Sequence, residues 1–123
     1  MSANKVVQIL LKKERITVTL AADGSATTTS TNLIYGEIFK ITYTKSTGIA
    51  ATTTAAVTAN TPTETLDSYN VNSGSASHYV ATKITASTDE YVRYIVNDYV
   101  TVTVASGQNG GSVGLFYVDI YYR

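Results

Sequence analysis

The chain has 123 residues, no cysteine and equal numbers of basic and acidic residues, nine of each. This length predicts a single domain spanning residues 1–123, and the lack of cysteine excludes disulfides, thiolate nucleophiles and thiolate metal sites. Because the charges cancel, no long-range attraction draws the chain toward phosphate backbones or anionic lipid, so we expect neither a nucleic-acid nor a membrane partner. The first twenty residues predict a β-strand rather than a signal peptide, and we expect folding in a cytoplasm.

The composition favours β-structure throughout. Thr is the commonest residue, Val is frequent, and the chain has ten Tyr and one Pro. β-branched and aromatic side chains fit a pleated, half-buried surface and lose rotamer freedom in a helix. We therefore expect a sheet protein.

The N-terminal part of the chain predicts two strands. Residues 5–12 (KVVQILLK) form the first, with either Val7, Ile9 and Leu11 or Val6 and Leu10 facing inward. The charged run at residues 12–15 (KKER) indicates a solvated hairpin turn, and residues 16–20 (ITVTL) alternate as a half-buried strand. The pair Asp23-Gly24 then predicts a tight turn.

The middle of the chain is less regular. Residues 33–43 (LIYGEIFKITY) predict a strand whose alternation breaks, and Gly36 near the break indicates a β-bulge. Residues 45–77 are small and polar, so we expect one strand around residues 52–59, a break at Thr61-Pro62 and a turn at Asn72-Ser73-Gly74.

The C-terminal third returns to alternation. Residues 78–84 predict a strand with Val80 and Ile84 on one face. Residues 91–99 predict another strand, preceded by at most one helical turn at Asp89. Residues 100–104 (VTVTV) predict a strand whose Thr side chains point outward. Residues 106–111 predict a flexible hairpin loop. The last strand has an inner face of four residues: Phe116, Val118, Ile120 and Tyr122. Together the pattern predicts an all-β fold, a β-sandwich or jelly-roll-like domain of seven to nine short antiparallel strands.

No constellation of residues indicates catalysis, a metal or a cofactor. The lone histidine, His78, has no local partner and is interpreted as a surface residue at a strand edge. The pairs Asp89-Glu90 and Asn97-Asp98 lack the spacing of a calcium loop and are interpreted as solvated loop charges. The Gly-rich loop at residues 106–111 lacks the Lys and Ser/Thr of a phosphate-binding loop. We expect a protein that is not an enzyme.

The second face of the last strand is the candidate interface, and it comprises Leu115, Tyr117 and Tyr121. Tyr buries a large ring while its hydroxyl stays hydrated, which suits protein interfaces. One face of this strand can fill the domain core, but the other needs a second cover. That cover is either a partner molecule or a neighbouring loop of the same chain.

Two stretches resemble a known group of proteins. Residues 16–46 have the order alternating strand, turn, Ala-Thr-rich strand and Gly-x-Ile-x-x-Ile-x-Tyr, and residues 100–123 combine VTVTV with a Gly/Asn loop and VDIYY. This order resembles small virion structural proteins of tailed bacteriophages. The resemblance implies a capsid decoration, or cement, protein on the virion surface. Its partners would be the major capsid protein and further copies of itself, as a homodimer or homotrimer.

Two alternatives remain open. The first keeps the virion but places the protein at the head–tail connector, the tail or a fibre. The second is a carbohydrate-binding or adhesin-like β-sandwich module, against which the absence of Trp counts, because sugar platforms favour large flat rings.

Overall fold

The computed structural model describes residues 11–46, 48–49, 53–60, 63–79, 82–83, 91–92, 95–105 and 114–123. Within these ranges the secondary structure is almost entirely β, with one short 3-10 turn at Val71–Ser73. None of the described helical structure is long and apolar enough to span a bilayer. The strands are β1 (Lys12–Thr19), β2 (Ala26–Thr29), β3 (Ile34–Lys45), β4 (Thr54–Asn60), β5 (Thr63–Asn70), β6 (Ala76–His78), β7 (Thr82–Lys83), β8 (Tyr91–Val92), β9 (Ile95–Asp98), β10 (Val100–Val104) and β11 (Leu115–Tyr122).

Two antiparallel sheets organise the chain. The five-stranded sheet has the order β1-β11-β3-β6, with β9 paired to the N-terminal half of β3, and the four-stranded sheet has the order β2-β10-β4-β5. A short ladder joins β7 to β8. The described part thus has nine strands in two sheets, which confirms the predicted all-β, sandwich-like fold.

The inner faces of both sheets share one hydrophobic core. Alternate residues of β1, β3 and β11 from one sheet meet alternate residues of β4 and β10 from the other, as period-two strands with one buried face require. The predicted inner faces of residues 100–104 and 115–122 are confirmed. The core comprises Ile16, Val18, Leu20, Ile34, Ile38, Ile41, Tyr43, Ala55, Val57, Ala59, Leu66, Val71, Val96, Val100, Val102, Val104, Phe116, Val118, Ile120 and Tyr122.

The predicted turn at residues 12–15 is wrong. These residues form the first half of β1, which pairs with β11 from Lys12 opposite Tyr122 to Thr19 opposite Leu115. The inward alternation of the strand simply begins at Glu14, which is buried and accepts hydrogen bonds from the backbone N and Nδ2 of Asn32, both at 3.0 Å. A charged residue can occupy a core-facing position when its polar atoms have hydrogen-bond partners. The charged composition of residues 12–15 gave no indication of these partners.

The bulge predicted in β3 exists, but it lies at Phe39 and not at Gly36. Tyr121 pairs with Lys40 and Tyr122 with Ile38, so Phe39 is the extra residue in the strand. Because of this insertion, Ile38 and Ile41 both face the core, and the alternation that breaks in the sequence is continuous in the fold.

Gly36 has a different role, which is to admit the end of the neighbouring strand. Its φ is +139°, and a Cβ built on it would lie 2.3 Å from the carbonyl oxygen of Arg123. There Arg123 and Glu37 exchange two backbone hydrogen bonds, of 2.9 and 3.1 Å. Only glycine lets these backbones approach so closely.

Several other predictions are confirmed within the described residues. The chain turns at Asp23-Gly24, where the backbone N of Ser25 donates to Asp23 Oδ1 at 3.0 Å, and β4 lies where a strand was expected. The 3-10 turn ending at Gly74 accounts for the predicted turn. The predictions for residues 5–10, 61–62, 84–90 and 106–111, and for Val80, lie outside the described residues.

We expect Gly36→Ala to lower the free energy of unfolding more than Gly74→Ala does. Both glycines have positive φ, +139° and +119°, so each alanine imposes backbone strain of about 1–3 kcal/mol. Only at Gly36 must the Arg123 backbone also move, since nothing lies within 4 Å of a Cβ at Gly74. Urea denaturation of the two variants measures the difference, and equal losses would show that the close approach to Arg123 has no energetic consequence.

Candidate functional site

The side chains that point away from the core on the five-stranded sheet form a surface, here called the outer face. Strand register arranges them in rows that cross the sheet. The first row is Lys13, Tyr121 and Lys40; the second is Arg15, Asp119, Thr42 and Ser77; the third is Thr17, Tyr117 and Thr44. Tyr79, the next outward position after Ser77, lies at the edge.

An ion pair between the exposed Arg15 and the buried Asp119 holds the middle row together. Asp119 is only 3% exposed although it lies on the outer face, and Arg15 binds it with Nε to Oδ1 at 2.8 Å and Nη2 to Oδ2 at 3.0 Å. The hydrogen bonds and negative charge of Asp119 raise the pKa of Arg15, so the guanidinium stays charged. Further along the row, the hydroxyls of Thr42 and Ser77 lie 2.9 Å apart. The two hydrogen bonds between Arg15 and Asp119 fix the orientation of both charged side chains.

Cations cover the tyrosine rings of the outer face. The guanidinium carbon of Arg15 lies 4.7 Å from the ring centroid of Tyr117, and Lys40 Nζ lies 4.7 Å from that of Tyr121. Lys40 Nζ is also 6.0 Å from the ring of Tyr79. Such cation–π contacts are each worth about 0.5–1 kcal/mol at exposed sites. They hold the rings in defined positions.

The structure brings the three sequence-predicted interface residues onto one strand face. Leu115, Tyr117 and Tyr121 are all half-buried and point away from the core. Their use as an interface stays a prediction. Sequence reasoning missed Arg15 and Lys40, because their proximity to the tyrosines depends on strand register. The signal available in the sequence was a pair of opposite charges, Arg15 and Asp119, at outward positions of two strands, which could have indicated an ion pair.

A second cluster of polar and aromatic side chains links the two sheets at their β5 and β6 edges. The Tyr43 hydroxyl donates to Asp67 Oδ2 at 2.7 Å, and His78 Nδ1 lies 2.7 Å from the same oxygen. The Tyr69 ring packs against both, with centroids 5.0 Å from Tyr43 and 4.9 Å from His78, and its hydroxyl donates to the Gly74 carbonyl at 2.8 Å.

A bulge in β5 aims Asp67 at its partners. Val57 pairs with Asp67 and Thr58 with Thr65, so Leu66 is the extra residue in β5. The insertion turns Asp67 toward the interior while Leu66 also stays buried. Asp67 therefore reaches from the four-stranded sheet to Tyr43 and His78 of the five-stranded sheet.

His78 lies at a strand edge, as interpreted from the sequence, but it has a partner that is not local in the sequence. Its side chain is 33% exposed, and its Nδ1 is engaged by Asp67. The partner comes from the other sheet through a bulge, so the local sequence around His78 could not reveal it. Among the described residues, no group of three His, Asp or Glu side chains is arranged to hold a metal ion.

Three further described carboxylates, Glu37, Asp23 and Asp98, also have identifiable surroundings. Glu37 lies 3.4 Å from Arg123 Nη2, and Asp23 accepts a 2.7 Å hydrogen bond from the Ser25 hydroxyl, which lowers the pKa of Asp23. Asp98 belongs to β9 and not to a loop as predicted, and its Oδ1 accepts from the backbone N of Tyr99 at 2.7 Å. Outside the two clusters, these groups serve local turns and strand ends.

We expect Tyr43→Phe to lower the free energy of unfolding by about 1.5–3 kcal/mol at neutral pH, because the hydrogen bond to the Asp67 carboxylate is lost. Burial, followed by this hydrogen bond and the Asp67 charge, raises the pKa of Tyr43 above its ordinary value. Above a pH of about 10, the unfolded wild type ionises this phenol and the folded state does not. Wild-type stability is then lost with rising pH, and the gap to Tyr43→Phe narrows.

Urea denaturation of both proteins at pH values of about 7 and about 10.5 measures this gap. As a control, the cost of Tyr43→Phe is expected to shrink in an Asp67→Asn background, since the two groups share one hydrogen bond. A gap that stays constant with pH, together with strict additivity of the two substitutions, would contradict the coupling of Tyr43 to Asp67.

The geometry thus defines two sites, an outer face of tyrosines and cations and a Tyr43–Asp67–His78 cluster between the sheets. The outer face lies on the side of the five-stranded sheet away from the core, whereas the cluster joins one sheet to the other. Comparison of the chain with protein-family models, with curated proteins and with solved structures gives no significant match.

Proposed function

We propose that this chain is a non-catalytic virion structural protein of a tailed bacteriophage, a decoration protein that binds the major capsid protein through the outer face. The observation that carries the proposal is the arrangement of Tyr117 and Tyr121, half-buried, with Arg15 and Lys40 against their rings. Tyr and Arg are the residues enriched in protein interfaces and in the contacts that dominate their energy.

Preorganisation supports this use of the face. A side chain that is already held in position loses less rotamer freedom on binding than one that is free, and each immobilised side chain otherwise costs about 0.5–1.5 kcal/mol. Arg15 is fixed by two hydrogen bonds to Asp119 and in turn contacts Tyr117. The face can therefore meet a partner with little rearrangement.

The size of the face fits a protein that binds in many copies. Three strands about 4.8 Å apart with eight residues rising about 3.3 Å each, together with the three residues of β6, give roughly 430 Å² in projection. A standard interface buries about 800 Å² on each partner. A face of this size supports modest affinity in one copy, and simultaneous attachment of an oligomer to a repeating shell raises the effective affinity.

The alternatives use the same surface differently. A connector, tail or fibre protein would also present a protein-binding face, and it differs in forming a localised assembly and not a shell-wide coat. A sugar-binding module needs an open ring face for stacking. One face each of Tyr117 and Tyr121 is contacted by a cation, which favours a protein partner over a sugar.

We expect Tyr117→Ala and Tyr121→Ala to weaken shell binding or self-association while lowering the free energy of unfolding only slightly. Phe116→Ala is the matched control, because Phe116 is the neighbouring aromatic residue on the core face and is fully buried. Its loss is expected to cost about 3–5 kcal/mol of stability. Co-sedimentation with undecorated capsids and urea denaturation measure the two effects.

If Tyr117→Ala and Tyr121→Ala destabilise the fold as much as Phe116→Ala, the outer tyrosines are structural and the interface proposal fails. Saturable binding of the wild type to undecorated capsids supports decoration. Localisation of the protein in isolated tails, without binding to capsids, would overturn decoration in favour of the tail or connector alternative.

A further inference from the structure

We propose that the partner surface docked on the outer face is acidic, with protein carboxylates engaging Lys13 and Lys40 on either side of Tyr121. This inference rests on the proposed function and names the chemistry of the partner at the same surface. It follows from how the charges of the outer face are paired and from their spacing across the sheet.

The first row of the outer face alternates cations and aromatic rings. Lys13 on β1 pairs with Tyr121 on β11, and Tyr121 pairs with Lys40 on β3. Lys40 also approaches the ring of Tyr79, beyond the end of β6, at 6.0 Å. Since neighbouring strands lie about 4.8 Å apart, the Cα atoms of the two lysines are about 10 Å apart, with Tyr121 between them.

The charges of this face are unbalanced in a specific way. Arg15 is neutralised by Asp119, whose side chain is only 4% exposed and so is not available to other cations. Lys13 and Lys40 form no ion pair with any carboxylate of the described residues. Among the described residues, the outer face therefore carries two lysines without an ion pair, although the whole chain has a net charge of zero.

This pattern selects a partner with paired carboxylates. Alternate residues of an extended partner segment lie about 6–7 Å apart, a spacing that two flexible lysine side chains about 10 Å apart at their Cα atoms can reach. The Tyr121 hydroxyl can donate a hydrogen bond to a carboxylate held between the two lysines. Complementary charge of this kind fixes the register of docking and accelerates association more than it adds affinity.

A protein partner fits this face better than a nucleic acid. Nucleic-acid binding draws its affinity from many phosphate contacts, and two free lysines on a neutral chain supply few. Single-stranded nucleic acid also relies on aromatic faces for base stacking, and Lys40 already occupies one face of Tyr121. The test below therefore distinguishes binding of an acidic protein from binding of a nucleic acid.

The test compares the wild type with Lys13→Glu/Lys40→Glu, with Lys12→Glu/Lys40→Glu as the matched double variant. Lys12 precedes Lys13 on β1 and is also exposed, but its register partner Tyr122 faces the core, so it lies off the outer face. Both variants change the net charge equally. Poly-L-glutamate is the first probe, and its binding is measured by residue-resolved NMR shifts. Binding of an oligothymidylate is measured in parallel.

We expect poly-L-glutamate to shift the resonances of Lys13, Lys40 and Tyr121, and its affinity to fall about tenfold or more in Lys13→Glu/Lys40→Glu. The Lys12→Glu/Lys40→Glu variant should keep part of the affinity, because Lys13 remains. Shifts confined to other surfaces, equal losses in both variants, or tighter binding of the oligothymidylate at this face would overturn the inference.

Undecorated capsids are the second probe, and they separate this inference from the proposed function. If the wild type and Lys13→Glu/Lys40→Glu bind capsids equally at several salt concentrations, decoration stands and the acidic docking surface is wrong. If no protein binds capsids while poly-L-glutamate still binds at Lys13 and Lys40, decoration fails and the acidic chemistry of the partner stands.

Discussion

The central position of β11 is the constraint on which both the core and the outer face depend. It pairs with β1 on one edge and β3 on the other along almost its whole length, so its backbone groups are satisfied and its side chains must alternate between two faces. Phe116, Val118 and Ile120 enter the core. The residues between them necessarily form the middle of the opposite surface, where half-buried tyrosines keep their hydroxyls hydrated.

The same alternation places Asp119 in the centre of that surface, where a carboxylate is costly without a partner. Arg15 lies directly across on β1 and offsets the cost with two hydrogen bonds, while its guanidinium also covers Tyr117. One arginine thus satisfies a buried charge and orders an aromatic ring. Because this pair is electrically neutral, the positive charge without an ion pair in the described rows of the outer face comes from Lys13 and Lys40.

Period-two alternation made the all-β fold, the two faces of β11 and the candidate residues Tyr117 and Tyr121 predictable from the sequence. Features that depend on register were not predictable. Charge alone suggested a turn at residues 12–15, whereas Glu14 is a buried strand residue with hydrogen-bonding partners. The partner of His78 was hidden as well, because Asp67 reaches it from the other sheet through an extra residue in β5.

The two sites are connected through β6, which has only three residues. On its inner side His78 contacts Asp67, and on its outer side the Ser77 hydroxyl lies 2.9 Å from that of Thr42. A strand this short has few backbone hydrogen bonds of its own. The Ser77–Thr42 contact therefore helps to hold β6 on β3, and the His78–Asp67 contact ties it to β5 of the other sheet. Tyr79 follows directly and packs edge-on against Phe39, with ring centroids 5.8 Å apart. The cluster between the sheets therefore helps to position the edge of the surface to which we assign partner binding.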